Sequence, residues 1–203
     1  MNHNNKGVLI VISGFSGSGK GTVIKELIKN PHYALSVSAT TRQPRIGEVE
    51  GVHYFFKNKD EFLSMIKNNE LLEWAEFCNN YYGTPKQYVE KQLAKGKDVI
   101  LEIEVQGALQ VKQLFPECIL IFLTPPNLKI LKQRLEKRGT EDIFIIEKRL
   151  QRAKEELDYI HGYDYIVIND VLTETILKVQ NIVQAEHCKT IRNQSLIRDL
   201  KGE

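Results

Sequence analysis

Gly14-Phe15-Ser16-Gly17-Ser18-Gly19-Lys20-Gly21-Thr22 is the stretch that decides the fold. An apolar run, Val8 to Ile12, precedes it, and Val23, Ile24, Leu27 and Ile28 follow at helical spacing. Strand, glycine-rich turn, lysine and helix in that order make a phosphate-binding loop. Glycines let backbone N–H groups approach phosphate oxygens with no Cβ in the way. The helix behind them adds its positive N-terminal end, and Lys20 supplies a mobile point charge for terminal phosphates. The strict pattern wants Ser or Thr directly after the lysine. Here Gly21 stands there and the hydroxyl comes at Thr22, so Thr22 is expected to meet a phosphate while a metal is held through water and carboxylates. Thr22 also occupies the third-glycine place, which excludes the dinucleotide fingerprint.

The 203 residues suffice for one α/β domain with insertions. Net charge is only +2, so no global basic field argues for nucleic acid, and phosphate chemistry must come from local clusters. No apolar run approaches the ~20 residues of a membrane span, and Met1 to Lys6 lacks a signal-peptide apolar region. Cys78, Cys118 and Cys188 are odd in number and widely spaced, which suits packing residues in a reducing cytoplasm.

Outward from the loop, Leu35–Ser38 reads as a short strand leading into Ser38 to Glu48. There Arg42 and Arg45 lie three apart beside several hydroxyls, either a cradle for a second phosphate or a solvated basic loop. His53–Phe56 reads as a strand, Lys59–Lys67 as a helix, and Leu71–Phe77 as another strand. Tyr81–Pro85 reads as a turn opening a helix with Thr84 as its cap. Residues 38–97 therefore form a small α+β insertion. Asp98–Glu104 resumes the parallel sheet, with Glu102 and Glu104 on one face at its carboxyl end, where open α/β sheets bind ligands. They are solvated strand-end charges or ligands of a water-bridged Mg2+. Cys118–Leu123 and Tyr163–Ile168 are further core strands. Between them, Arg134 to Arg152 is locally basic around Gly139, either a lid over polyphosphate or ordinary surface pairing. The tail after His187 is polar and expected to fray.

Over roughly Val8 to His187 the chain resembles the small bacterial guanylate kinases. The resemblance rests on the phosphate loop, Ser38-x-x-Thr-Thr-Arg-x-Pro-Arg-x-Gly-Glu48, Tyr54, Glu73, Tyr81-Tyr82-Gly-Thr84, Glu102-Ile-Glu-Val-Gln-Gly107, Pro125-Pro126, Arg134-x-x-x-Arg-Gly-Thr140, Lys148-Arg149-Leu150 and Ile168-Asn169-Asp170. It implies a P-loop NTPase-type sheet with a core of residues 1–37, 98–130 and 156–203, a GMP-binding insertion over 38–97 and a lid over 131–155. It implies transfer of the γ-phosphoryl of ATP to GMP, and to dGMP, with Mg2+ accompanying ATP. Ser38, Glu73 and Thr84 would read guanine. Arg42, Arg45, Tyr54 and Tyr82 would hold the GMP phosphate, steadied by Glu48, with Glu102 also on the GMP side. Lys20, Arg42, Arg134, Arg138 and Arg149 would be the catalytic cations, the loop Gly14 to Thr22 and Asn169 would bind ATP, and Glu102 and Glu104 would hold the metal through water. Relatives often carry Asp at the places of Glu102 and Glu104, and Ser at those of Gly21 and Thr84. ATP and GMP are thus the expected partners, without nucleic acid or membrane, and a homo-oligomer is left open. Two rivals are a same-fold kinase with another acceptor, such as adenylate, and a non-catalytic interaction module. The Ser38–Glu48 block and Glu73 oppose the first; Lys20 and the lid arginines oppose the second.

Overall fold

The computed structural model describes residues 6–137 and 143–202. Among them, β1 (Leu9–Ser13) is buried along its whole length. It lies at the centre of a parallel sheet with β2 (Tyr33–Leu35), β7 (Asp98–Glu102), β8 (Ile119–Thr124) and β9 (Tyr165–Ile168), in the order β2-β7-β1-β8-β9. The sheet is covered on both faces, which is why its strands read as unbroken apolar runs. Ile10 and Ile12 face one side with Val23 and Leu27 of α1 (Lys20–Leu27) and Val179 and Val183 of α7 (Leu172–His187). Leu9 and Val11 face the other with Val89 and Leu93 of α3 (Lys86–Ala94) and Val111 of α4 (Val105–Leu114). The alternation is the two-residue period of a strand. A third cluster places Leu131 and Leu135 of α5 (Leu128–Lys137) and Ile146 of α6 (Ile143–Glu156) against Phe15 and Phe122.

A second sheet, ordered β4-β3-β6-β5, stands beside the first. It comprises β3 (Ala39–Thr40), β4 (Phe55–Phe56), β5 (Leu71–Phe77) and β6 (Asn80–Pro85). Phe62 of α2 (Lys59–Lys67) packs under it with Ala39 and Leu71. Asn58 starts α2 through a capping box with Glu61, at 2.8 and 2.9 Å.

Five expectations are corrected. The strand placed at Leu35–Ser38 is two pieces: Tyr33–Leu35 pairs with β7, and Ser36–Ser38 crosses to the second sheet. Tyr81–Pro85 is not a turn but part of β6, because Cys78 and Asn79, both at positive φ, close a tight hairpin with β5. Thr84 consequently pairs inward rather than capping α3, whose cap position is Pro85. Of the three cysteines only Cys118 is buried; Cys78 and Cys188 are exposed. The tail does not fray at once: α8 (Gln194–Lys201) follows His187, tied back by Asn193 Nδ2 donating to the carbonyls of His187 (2.8 Å) and Lys189 (2.9 Å). No helix among the described residues is long and apolar enough to cross a membrane.

Candidate active site

The phosphate loop leaves the carboxyl end of β1 and enters α1. Gly14 and Gly19 are required there by geometry. At Gly14 (φ 143°) a Cβ would lie 2.0 Å from the Leu123 carbonyl oxygen. Gly19 (φ 92°) is the cap residue of α1, and a Cβ there would lie 2.4 Å from Asn169 Nδ2. Lys20 Nζ donates to the loop's own carbonyls at Gly14 (2.5 Å) and Phe15 (3.2 Å). Phe15 was expected to bind ATP. Its ring is instead buried edge-on against Phe122, at 5.0 Å, so what it offers a ligand is backbone. Thr22 is exposed on the first turn of α1.

The loop is braced from the far side of the sheet. Asn169, just past β9, donates Nδ2–H to the Ser18 carbonyl at 2.8 Å, and Thr175 Oγ1 donates to its Oδ1 at 3.1 Å. Arg134 of α5 donates to the carbonyls of Asn169 (2.8 Å) and Ser18 (3.4 Å). Arg149 reaches from α6 to Ser16 Oγ at 2.9 Å. Arg134, Arg149 and Lys20 therefore surround one loop. Arg138 lies outside the described residues.

On the second sheet, Arg42 Nη2 donates to both oxygens of Glu48, at 2.8 and 2.9 Å, and the Arg45 N–H donates to the same carboxylate at 2.7 Å. The Arg42 guanidinium holds the Glu48 carboxyl below its usual range, with the Arg45 N–H adding to the effect. It also lies over the Tyr54 ring, 5.4 Å from its centroid, and Tyr54 meets Tyr82 edge-on at 6.3 Å. Arg42, Arg45, Glu48, Tyr54 and Tyr82 thus converge. The Arg45 side chain is exposed, and Ser38 is half-buried at the entry to β3.

Glu73 is 8% exposed. The β5–β6 register slips by one between Leu71 and Trp74, and such a bulge re-aims side chains. Its carboxylate accepts the Thr84 hydroxyl at 2.7 Å. Burial pushes the Glu73 carboxyl up, against the Thr84 hydrogen bonds. Its other oxygen faces α4, where a Cβ on Gly107 would come within 3.0 Å. A side chain at Gly107 would thus crowd the carboxylate and press it to shift, a constraint its place in the sequence motif does not disclose.

The two strand-end glutamates separate. Only Glu102 belongs to β7; Glu104 is the residue before α4, and Arg152 draws its carboxylate at 3.4 Å. Glu102 is open to the cleft, yet the protein crowding it pushes its carboxyl up, opposed by Lys20 and reinforced by Glu104. Glu156, unassigned by the sequence reading, joins this cluster. It pairs with Arg152 at 3.2 Å, and burial, then Glu104, push its carboxyl up. Its i,i+4 spacing from Arg152 was visible and read as surface pairing.

A phosphate loop at the carboxyl end of a parallel sheet, ringed by cations and standing beside an inserted sheet with an arginine–carboxylate cradle and a buried acid, defines a P-loop kinase acting on a small phosphorylated acceptor. A family model described as guanylate kinase matches residues 6–186. Proteins named guanylate kinase are similar throughout: one from Desulfitobacterium hafniense is 54% identical, covering 93% of this chain and 94% of the relative. One from Bacillus cereus is 57% identical (92% of each), and one from Caldanaerobacter subterraneus is 50% identical (100% and 99%). The crystal structure of guanylate kinase from Anaplasma phagocytophilum superposes with a TM-score of 0.74 at 34% identity, covering 96% of this chain and 95% of that one. The chain belongs to the guanylate kinase family, nucleoside monophosphate kinases of the transferase class.

Proposed function

We propose that this chain transfers the γ-phosphoryl group of ATP to the phosphate of GMP, releasing ADP and GDP. The observation that carries the reading is the enclosed Glu73 carboxylate, bonded to Thr84 and standing beside the Arg42–Glu48 cradle. Guanine offers two adjacent donors, N1–H and the N2 amino group, which one carboxylate accepts together. Adenine presents an acceptor at N1 and leaves that carboxylate unpaired and repelled. Sites built on buried polar pairing reject the wrong base by on the order of 10⁴ in favourable cases. Ser38 supplies a hydroxyl toward O6, Thr84 joins it only by turning its one proton away from Glu73, and Arg42, Arg45, Tyr54 and Tyr82 hold the phosphate.

In the transfer a phosphate oxygen of GMP forms a bond to the γ-phosphorus as the bond to the β–γ bridging oxygen breaks. That phosphate is already a competent nucleophile, so the protein supplies alignment and positive charge. Lys20, Arg134 and Arg149 surround the moving group, Arg138 is assigned to it by the family resemblance alone, and the loop amides hold the β-phosphate. Glu102, an oxygen donor beside Lys20, suits a hard cation better than Glu104, whose carboxylate is engaged by Arg152. Bound Mg2+ supplies charge neutralisation on the β- and γ-oxygens; Glu102 would hold it through water, with no loop hydroxyl directly after Lys20. Asn169 acts as the brace that sets the Ser18 peptide rather than as a base contact. The insertion and the lid close over both nucleotides, which keeps water from consuming ATP. The free thiols of Cys78, Cys118 and Cys188 suit the reducing cytoplasm.

A coupled ADP-release assay across AMP, GMP, dGMP, IMP, CMP and UMP tests the reading. GMP should dominate, dGMP should follow because no assigned contact needs the ribose 2′-hydroxyl, and IMP, lacking the 2-amino donor, should fall well behind. ATP consumption no faster with GMP than with the other bases would refute it.

A further inference from the structure

At the opposite end of the sheet from the phosphate loop, three segments bring together His32, Asp98 and His187. His32 lies in the connection before β2, Asp98 is the first residue of β7, and His187 is the last residue of α7. The Asp98 carboxylate is 1% exposed. His187 Nε2 lies 2.8 and 3.1 Å from its two oxygens, and His32 Nε2 lies 3.3 Å from Oδ2. The Val8 N–H also donates to Oδ1, at 2.8 Å. Among the described residues, the side chains that partner this carboxylate are the two imidazoles. Two imidazoles and one backbone N–H thus meet a carboxylate that is withdrawn from water.

We propose that His32, Asp98 and His187 bind a divalent transition-metal cation of the zinc class. One ligand atom from each lies within 4.8 Å of the others. A tetrahedral zinc with bonds of about 2.0–2.1 Å needs ligand atoms about 3.3 Å apart, which these separations reach through side-chain rotation. Imidazole nitrogen and carboxylate oxygen are the donors such cations take, and hard Mg2+ prefers an all-oxygen shell. The His32 side chain is 55% exposed, so the outer side of the cluster offers an entry path and room for water as the fourth ligand. Binding would displace the protons on both Nε2 atoms and turn the histidines to their Nδ1–H form. The cation would tie the end of α7 to the start of β7. β7 spans five residues, at about 3.3 Å each, so the cluster stands about 13 Å or more from Glu102 and the reaction. It is a structural site and takes no part in phosphoryl transfer.

The test uses the full chain without a histidine tag, treated with chelator. Co2+ titration should give visible ligand-field bands saturating at one ion per chain and displaced by Zn2+. Zn2+ at about a hundred times its dissociation constant should raise the thermal midpoint by about 5–10 °C. His32→Ala, at an exposed position, should fold, keep its kinase rate within about twofold and lose the bands and the shift. His187→Gln, which keeps a donor toward Asp98, should lose them too. Absence of the bands and shift in the parent, or their persistence in both variants, would overturn the proposal.

Discussion

Replacing Glu73 with Gln separates base recognition from folding. The carboxylate is enclosed and already raised in pKa by burial, so the charge is a burden on the fold rather than a support. Gln is isosteric and its Oε1 can still accept from Thr84, so the variant should be at least as stable as the parent at neutral pH. The linkage sign agrees. A carboxyl raised in the folded state binds its proton more tightly there, so the parent loses stability as pH rises from the unfolded value of about 4.5 through the folded one. The variant lacks that loss. Recognition should move the other way. Hydrogen bonds to a charged acceptor are worth about 1.5–3 kcal/mol each. The amide keeps one acceptor and turns a donor toward guanine, so kcat/KM for GMP should fall by about 10–150-fold. AMP, whose N1 can accept from the new donor, should gain about fivefold, the worth of one neutral hydrogen bond. In the parent, GMP affinity should also weaken as pH drops into the raised titration range of Glu73, and the variant should be flat there. Steady-state kinetics with both acceptors, beside thermal denaturation, read both effects. A stable variant with the parent's GMP-to-AMP ratio would refute the assignment of Glu73 to the base.

Three further outcomes follow from the same geometry. Lys20→Ala should lower turnover by about 10²–10³ and leave the thermal midpoint within a few degrees, measured by circular dichroism; a near-normal rate in folded protein would remove Lys20 from its role. Gly14→Ala should cost about 3 kcal/mol or more in urea denaturation, because its Cβ would meet the Leu123 carbonyl at 2.0 Å, whereas Gly47→Ala (φ 88°, nothing within 4 Å) should cost about 1–2 kcal/mol of backbone strain alone. Tyr33 and Tyr163 are pushed up to about 12 by burial, and Tyr165 to about 12 by its hydrogen bond to Glu186. Their neutral forms belong to the fold, so this stabilisation is complete below about pH 10, the unfolded value, and lost as pH climbs toward 12. Stability unchanged across that interval, in an alkaline denaturation series followed by circular dichroism, would contradict it.

What was legible in the sequence was what local periodicity determines. β1, α1, α2 and β5 fall where the sequence reading puts them, because each buries apolar residues that its own sequence supplies. β6 was misread because Tyr81-Tyr82-Gly83-Thr84-Pro85 has turn composition, and only pairing with β5 across the Cys78–Asn79 hairpin makes it a strand. α8 was hidden for a related reason: its apolar residues are few, and its anchorage comes from side chains before it. The site divides the same way. Lys20 and the glycines announce themselves by spacing. The inward turn of Glu73 depends on a one-residue register slip between strands, and the crowding a side chain at Gly107 would cause depends on where Glu73 then points. Neither leaves a trace in either segment alone. The roles of Ser38 and Tyr54 came from family resemblance, which also chose between the two readings of the Arg42–Arg45 pair, because single polar residues have no periodicity to betray them.

The cations of the cleft are held in two distinct ways, and the difference bears on what moves. Arg134 rests on neutral oxygens, the carbonyls of Ser18 and Asn169. A phosphate oxygen carries net charge and a carbonyl does not, so Arg134 gains by transferring donors to an arriving polyphosphate. Arg42 rests on Glu48, an ionised carboxylate whose attraction matches what a phosphate offers. It has no electrostatic reason to leave. On the proposed assignment the acceptor phosphate would enter a cradle whose charge is fixed beforehand, while the donor phosphates would draw Arg134 from its carbonyls. On that assignment Arg134, whose partners are neutral, stands where the phosphoryl group would travel, and Arg42, whose partner is charged, stands where its destination would be held still.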